Sequence, residues 1–213
     1  PDFNYGEAAY WDDRYREDGE DSAYDWLGDY DRFREHIDAA AAKVGRGKAL
    51  AVLDLGCGNA RLAEAMHDDG YADITGVDIS EVAISMMRSR NADCRPAMKW
   101  VVGDAFGLGF DDASFDLVID KSTMDALSCE EGKANENMVK LTAEVARVLR
   151  PGGAYVVFSA TDMAERSLRL PHLDLDVEVK DVPMPFSTLQ VGVAVKRPGA
   201  DERLPGGREP GLG

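Results

Sequence analysis

A chain of 213 residues is the length of one to two domains at roughly 150 residues each, and with 45% of it hydrophobic it can bury one sizeable core. Charged residues at 30% and aromatics at 8% exclude collagen, coiled coil and wholesale disorder. Forty acids against 24 lysines and arginines give a net charge of −16, which repels phosphate backbones and anionic membrane surfaces and argues against direct nucleic-acid or membrane binding.

Residues 12–38 carry eleven acids and four arginines interleaved with Tyr15, Tyr24, Trp26, Leu27, Tyr30 and Phe33. Aromatics at this density imply packing, so residues 1–48 read as an ordered N-terminal extension with helical stretches. From residue 49 short apolar runs alternate with helical periodicity. The run ALAVLD at 49–54 predicts a buried strand and 59–67 a helix; ITGVD at 74–78 is a second strand, with Ser80 placed to cap a helix to about Arg90. Residues 98–102 and 115–120 supply two more strands. Met138, Leu141, Val145, Val148 and Leu149 share one face of a helix, which Pro151-Gly152-Gly153 ends before a strand over 154–159. This alternation demands a mostly parallel sheet covered by helices on both faces, within a domain over 49–197. Residues 175–179 and 189–195 read as two late strands joined by a Pro183-Met184-Pro185 turn, the last able to pair antiparallel at one edge. Five glycines and three prolines in 198–213 predict a disordered tail.

Cys57, Cys94 and Cys129 are too few and too scattered for a disulfide framework, and His36, His67 and His172 show no dyad or metal spacing, so no metal site is expected. No apolar run approaches about 18 residues and no basic-then-apolar leader opens the chain. The protein is expected to be soluble and cytoplasmic, although a chain beginning at Pro1 can have lost a leader. Its acidity admits two readings, a solvated surface or attraction to a basic partner protein.

The first strand runs into Gly56-Cys57-Gly58 and then a helix, where glycines let backbone N–H groups approach a ligand at the positive helix end. A tight turn alone would look the same. The second strand ends in Asp78, twenty residues beyond Gly58, where a carboxylate at the sheet edge can accept both hydroxyls of a ribose. Gly103-Asp104 after the third strand sets another carboxylate on that edge, suited to an adenine amino group. Arg61 stands where a dinucleotide fingerprint wants its third glycine, so a phosphate site is disfavoured.

Val52-Leu53-Asp54-Leu55-Gly56-Cys57-Gly58, Asp78, Gly103-Asp104 and Leu149-Arg150-Pro151-Gly152-Gly153 together resemble the class I S-adenosylmethionine-dependent methyltransferases. The resemblance spans about residues 49–159 and implies a Rossmann-like seven-stranded, mostly parallel sheet with an antiparallel last strand. It also implies S-adenosylmethionine as cofactor and S-adenosylhomocysteine as product. Tyr10-Trp11-Asp12-Asp13-Arg14-Tyr15, Asp25-Trp26-Leu27-Gly28-Asp29-Tyr30 and Asp120-Lys121-Ser122-Thr123-Met124-Asp125-Ala126-Leu127 resemble the group that includes lysine methyltransferases of translation elongation factor 1-alpha. That group typically reads Lys-Gly-Thr-Leu-Asp-Ala-Leu in the last motif; here Ser122 stands for the glycine and Met124 for the leucine. By this resemblance Trp11, Tyr15 and Trp26 close over the cofactor, and Gly56, Asp78, Ile79, Asp104, Ala105 and Lys121 line its site.

Aromatic faces suit a sulfonium cation, though the same residues would pack an N-terminal helix. Lys121 can meet the cofactor's carboxylate or pair with Asp120. Asp120 and Asp125 are placed to orient an acceptor amine, or to serve as helix caps or as partners that hold residues of the site in place. Cys57 need only be small. The expected activity is methyl transfer to a protein lysine, with elongation factor 1-alpha as the basic protein partner; a small-molecule methyltransferase and a non-catalytic cofactor-binding module are the alternatives.

Overall fold

The computed structural model describes residues 5–19, 22–168, 175–184 and 188–197. The expected tail over 198–213, His172 and Pro185 of the late turn lie outside the described residues. In chain order, α1 (Ala8–Asp18) and α2 (Tyr30–Val44) precede β1 (Ala51–Leu55), α3 (Leu62–Asp68), β2 (Asp73–Asp78), α4 (Glu81–Asn91) and β3 (Lys99–Val102). Then come β4 (Phe115–Lys121), α5 (Thr123–Ser128), α6 (Ala134–Val148), β5 (Leu149–Ser159), α7 (Met163–Leu168), β6 (Leu175–Pro183) and β7 (Thr188–Lys196).

The seven strands form one sheet in the order β3-β2-β1-β4-β5-β7-β6. β1 to β5 are parallel and β7 runs antiparallel to both its neighbours. The antiparallel last strand is as expected, but it is not at the edge. β7 (TLQVGVAVK) inserts between β5 and β6 because its run is apolar enough to be covered on both faces. β6 (LDVEVKDVP) alternates charge with valine and takes the edge, where charged side chains discourage further pairing. Every residue of β4 is buried, as a central parallel strand with helices on both sides requires.

Alternation along the strands sends Val52, Leu117 and Phe158 to one face, against Phe33 and Ile37 of α2, Leu62 and Met66 of α3 and Ile84 and Met87 of α4. Leu53, Leu55 and Val118 face the other way, onto Met138, Leu141 and Val145 of α6 and Leu168 of α7. The Phe33 and Phe158 rings lie 4.4 Å apart. The second half of the predicted N-terminal extension is thus part of the sheet's own cover.

Two boundaries differ from the sequence expectation. α3 starts at Leu62 rather than 59, because the Asn59 side chain and the Arg61 amide are bonded to the incoming N-terminal segment. Pro151-Gly152-Gly153 lies inside β5, where the β4–β5 register jumps from Phe115↔Leu149 to Leu117↔Ala154. Arg150 and Arg46 both reach Asp116 there, at 2.8 and 2.9 Å, and the same carboxylate accepts the Ala51 amide at 2.9 Å. This ties the bottom of the sheet and leaves its C-terminal edge to the loops.

Candidate functional site

At that C-terminal edge the turn after β1 depends on two glycines. Gly56 has φ +66°, and a Cβ there would lie 2.0 Å from Thr123 Oγ1, which donates to the Leu55 carbonyl at 2.8 Å. Gly58 has φ +53°, and its Cβ would meet the Tyr15 hydroxyl at 2.5 Å. Only glycine allows this close approach. Above the turn opens a cavity of about 290 Å³.

The edge presents acids in strand order. Asp104, after β3, is exposed and uses Oδ1 to accept the Phe106 amide at 2.9 Å, and among the described residues no hydrogen bond reaches its Oδ2. Asp78, at the end of β2 and 7% exposed, accepts Gly58 N at 2.8 Å on one oxygen and Ser80 N at 2.9 Å on the other. Each oxygen keeps lone-pair capacity for a hydroxyl donor. Burial outweighs these bonds and pushes the Asp78 carboxyl up to about 6. Ile79 lines the cavity next to it.

Asp54 was not among the expected site residues. It is 3% exposed and lines the cavity, and among the described residues no hydrogen bond reaches its carboxylate. Burial pushes it up to about 7, against the pull of Lys121. The sequence signal was present, since an acid inside the apolar run VLDLG has no reason to be there without a polar partner.

The N-terminal segment is fastened over this edge. Asp12 accepts Ser80 Oγ at 2.6 Å and the Val82 amide at 3.2 Å, while Ser80 caps α4 as expected by accepting Ala83 N at 3.1 Å. Trp11 and Tyr15 stack at 5.9 Å, and the buried Tyr15 hydroxyl has no hydrogen-bond partner among the described residues. Burial and the nearby Asp78 hold that phenol well above its usual range. Residues 22–26 form a strap. Asn59 donates to Ser22 Oγ at 2.9 Å and accepts Tyr24 N at 3.1 Å, and Asp25 Oδ2 accepts Arg61 N at 3.2 Å. Tyr24 and Trp26 stand edge-to-face and exposed at the cavity mouth.

Partners within the chain bear on the alternatives left open for Lys121, Asp120 and Asp125. Lys121 lines the cavity, and its Nζ donates to Asp25 Oδ1 at 3.2 Å and the Trp26 carbonyl at 3.1 Å, not to Asp120. Asp120 does not line the cavity. Fully buried, it accepts Thr123 N at 2.9 Å, Met124 N at 3.1 Å and the Tyr155 hydroxyl at 2.8 Å, so it caps α5 instead of facing an amine. Asp125 does line the cavity, but its carboxylate is taken by Ser159 Oγ, Thr161 Oγ1 at 2.8 Å and Ala160 N at 2.8 Å, which pins the loop after β5. Cys57 is buried, and burial pushes its thiol up, away from a nucleophilic thiolate.

The helix-end amide expected to meet a ligand is also spoken for, since Asp25 holds Arg61 N and Asp78 holds Gly58 N. Carboxylates in these places repel a phosphate. They suit a nucleoside with a free ribose diol whose other end is cationic, beside Asp54. Among the described residues no group of His, Cys, Asp and Glu is placed to hold a metal ion, and no helix is long and apolar enough to cross a membrane.

Comparison with known proteins agrees with this chemistry. Residues 52–153 match the family model for a methyltransferase domain. The chain is 40% identical over 156 residues to the eEF1A lysine and N-terminal methyltransferase of Bos taurus, a match covering 73% of this chain and 22% of that protein. It is 35% identical over 159 residues to EEF1A lysine methyltransferase 4 of Bos taurus, covering 71% of this chain and 60% of that one. The chain thus spans about a fifth of the length of the first relative and 60% of the second. Among solved structures it resembles a Methanosarcina mazei SAM-dependent methyltransferase, with TM-score 0.54 and 18% identity, covering 70% of this chain and 93% of that one. It also resembles the Burkholderia thailandensis 1,6-didemethyltoxoflavin-N1-methyltransferase bound to S-adenosylhomocysteine, with TM-score 0.59 and 20% identity, covering 79% and 80%. These two likenesses establish the fold.

Proposed function

We propose that this chain, whose residues 52–153 match the family model for a methyltransferase domain, is a class I S-adenosylmethionine-dependent methyltransferase that methylates a lysine of a protein, translation elongation factor 1-alpha being the acceptor. The observation that carries the acceptor is the 40% identity to a relative whose name gives that activity. The acidic surface, with its net charge of −16, supports a basic protein acceptor over nucleic acid. The three free cysteines support a reducing compartment such as the cytoplasm.

When bound, S-adenosylmethionine supplies an electrophilic methyl group on a sulfonium. In our reading Asp104, Ala105 and Phe106 take the adenine, and Asp78, with Ile79 beside it, accepts the ribose diol. Gly56 and Gly58 let the methionine portion lie against the backbone. Asp54 would take its ammonium, and the Tyr15 hydroxyl its carboxylate. Trp11 and Trp26 exclude water from the sulfonium, and Lys121 holds the strap that carries Trp26. The fit rests on three groups facing the cavity with hydrogen-bonding capacity to spare: Asp54, Asp78 and the Tyr15 hydroxyl.

A lysine near its usual pKa of about 10.4 arrives protonated and must lose a proton to act. Tyr24 and Trp26 at the mouth offer its stem an apolar passage, and desolvation there favours the neutral amine. Bound there, the cofactor would supply the methyl group that the neutral amine takes up, and the proton released from the amine would pass to water. The protein's part is orientation and exclusion of water.

The test is to incubate purified protein with isotope-labelled S-adenosylmethionine and purified elongation factor 1-alpha, then read every lysine and the amino terminus by mass spectrometry. Methylated lysine is expected. Methyl on the amino terminus alone would overturn the lysine reading, and no methyl on the factor, with cofactor binding intact, would move the acceptor to a small molecule.

A further inference from the structure

We propose that Arg147 of α6 is a positioning residue for adenine recognition, clamping the loop that presents Asp104 to the cofactor. Between Val102 and Phe115 the chain has neither helix nor strand. Connections in such sheets commonly run about 2–6 residues, so a stretch this long needs support from outside to hold one shape. Its first part, Gly103-Asp104-Ala105-Phe106, lines the cavity. It closes as a turn, with Phe106 N donating to Asp104 Oδ1 at 2.9 Å and Gly107 N to the Asp104 carbonyl at 3.0 Å. Gly103 N donates to the Asp78 carbonyl at 2.9 Å, which fixes the near end of the turn.

The far end is Leu108, between Gly107 and Gly109. Space demands neither glycine, since a Cβ on either would meet nothing within 4 Å, and together they leave the backbone loose on both sides of Leu108. The Leu108 side chain is buried in the core, and its backbone is gripped from α6. Leu108 N donates to Glu144 Oε2 at 2.8 Å, and the Leu108 carbonyl accepts Arg147 Nη2 at 2.8 Å. Arg147 Nη1 donates to the Phe110 carbonyl at 2.8 Å and to Asp112 Oδ1 at 2.7 Å, while the Arg147 carbonyl accepts Ala113 N at 3.0 Å. Its Nε bonds Glu144, which fixes the plane of the guanidinium. One planar fork thus satisfies two carbonyls of a loop that has no ladder of its own. Lys140, Glu144 and Arg147 lie at i, i+4 and i+7 on one stripe of α6, and Lys140 Nζ stands 5.9 Å from the Phe106 ring. The apolar stripe of Met138, Leu141 and Val145 packs α6 on the sheet, and this polar stripe holds the loop.

The consequence concerns which base the site accepts. A hydrogen bond weakens steeply with misalignment, so an exposed carboxylate on a glycine-flanked turn recognises a 6-amino group only if the turn is held. Arg147 does not line the cavity and takes no part in the chemistry; it acts through Leu108 and the turn that Leu108 ends. This inference rests on the placement of adenine at Asp104 proposed above and not on the identity of the acceptor.

The test compares S-adenosylhomocysteine with its purine analogue, in which hydrogen replaces the 6-amino group, by calorimetry on the full chain. The parent should bind the analogue at least about tenfold more weakly, the loss of one hydrogen bond to a charged group. In Arg147→Met that preference should shrink to within about twofold. A merely structural arginine would weaken both ligands by one factor and keep the preference, which would overturn the proposal. Arg147→Met strands the Glu144 carboxylate, so Arg147→Met with Glu144→Gln decides the matter if the single variant does not fold: Glu144 is then no stranded charge, and the amide oxygen still accepts Leu108 N. Asp104→Ala separates the clamp from the placement beneath it. A preference lost in Asp104→Ala but kept in the Arg147 variants would overturn the clamp and leave adenine at Asp104. A parent without any preference, or one that survives Asp104→Ala, would overturn both.

Discussion

The Lys121 ammonium lies 3.2 Å from Asp25 Oδ1, joining the end of β4 to the N-terminal strap through a pair whose side chains are only 5% and 19% exposed. Removing one member of a buried pair leaves the other charge stranded, at a cost of about 3–5 kcal/mol, whereas replacing both is far milder. Lys121→Met strands the Asp25 carboxylate near Asp54, and the strap should lift. We expect a lower melting temperature and cofactor binding weakened at least about tenfold. Adding Asp25→Asn should recover part of both. Calorimetry and thermal melts of the two single variants and the double would reveal it, and strictly additive effects would mean that the pair does not hold the strap.

Asp78 serves two purposes at once, which separates two substitutions. Asp78→Ala removes the acceptors for Gly58 N and Ser80 N as well as the proposed ribose contacts, so it should lose about 1–3 kcal/mol of stability along with cofactor affinity. Asp78→Asn keeps one acceptor oxygen but turns an NH2 toward donors. Its binding of S-adenosylmethionine should weaken about tenfold or more with a smaller loss of stability. A folded Asp78→Asn protein of parental affinity would remove Asp78 from the ribose site.

What the sequence made legible follows from which forces act locally. Strand and helix alternation from residue 49, the Gly56-x-Gly58 turn and the acids at Asp78 and Asp104 could be read directly, because periodicity and the need for glycine are properties of a short stretch. The roles of Lys121, Asp120 and Asp125 could not. Each was decided by a partner far away in the chain: Asp25 for Lys121, Tyr155 for Asp120, Ser159 and the Thr161 loop for Asp125. The position of β7 was hidden for the same reason, since the choice between edge and interior depends on β6 as well. Asp54 was legible in principle and overlooked, being treated as the end of a strand when it was an unpaired carboxylate in an apolar run.

Asp54 makes the protein sensitive to pH in a direction that can be worked out. Burial raises its carboxyl from the usual 3.8 to about 7, so between these values the folded protein holds a proton that the unfolded chain has released. That stabilisation is fully present below about pH 4 and is lost as pH rises through about 7. Asp120, raised to about 7 by burial, acts in the same window. The melting temperature of the cofactor-free protein should therefore fall from pH 5 to 8, and Asp54→Asn should flatten the curve and melt higher at pH 8. If Asp54 faces the methionine ammonium, cofactor affinity should instead rise through pH 7 in the parent protein and lose that rise in Asp54→Asn. Matching pH profiles of affinity for the two proteins would exclude the contact.

Electrostatic steering of the acceptor gives the last test. The region over residues 12–38 holds eleven acids and four arginines, and its helices carry exposed acids such as Glu17 and Glu35. Attraction of this kind acts mainly on encounter and is screened beyond about 8–10 Å at 0.1–0.15 M salt. It should therefore raise the rate at which a basic protein finds the cavity without touching cofactor affinity, because the cofactor is recognised by contacts inside. Turnover on elongation factor 1-alpha should fall as ionic strength rises, through KM and not kcat. Glu17→Lys with Glu35→Lys should raise KM about two- to tenfold, as expected for surface pairs worth about 0.2–1 kcal/mol each, and should blunt the salt dependence. Calorimetry with S-adenosylhomocysteine on the same variant serves as the control, since its affinity should not move. A KM indifferent to both salt and charge reversal would leave the acidity to solubility alone, while a shift in kcat would mean that these acids act on the assembled site and not on encounter.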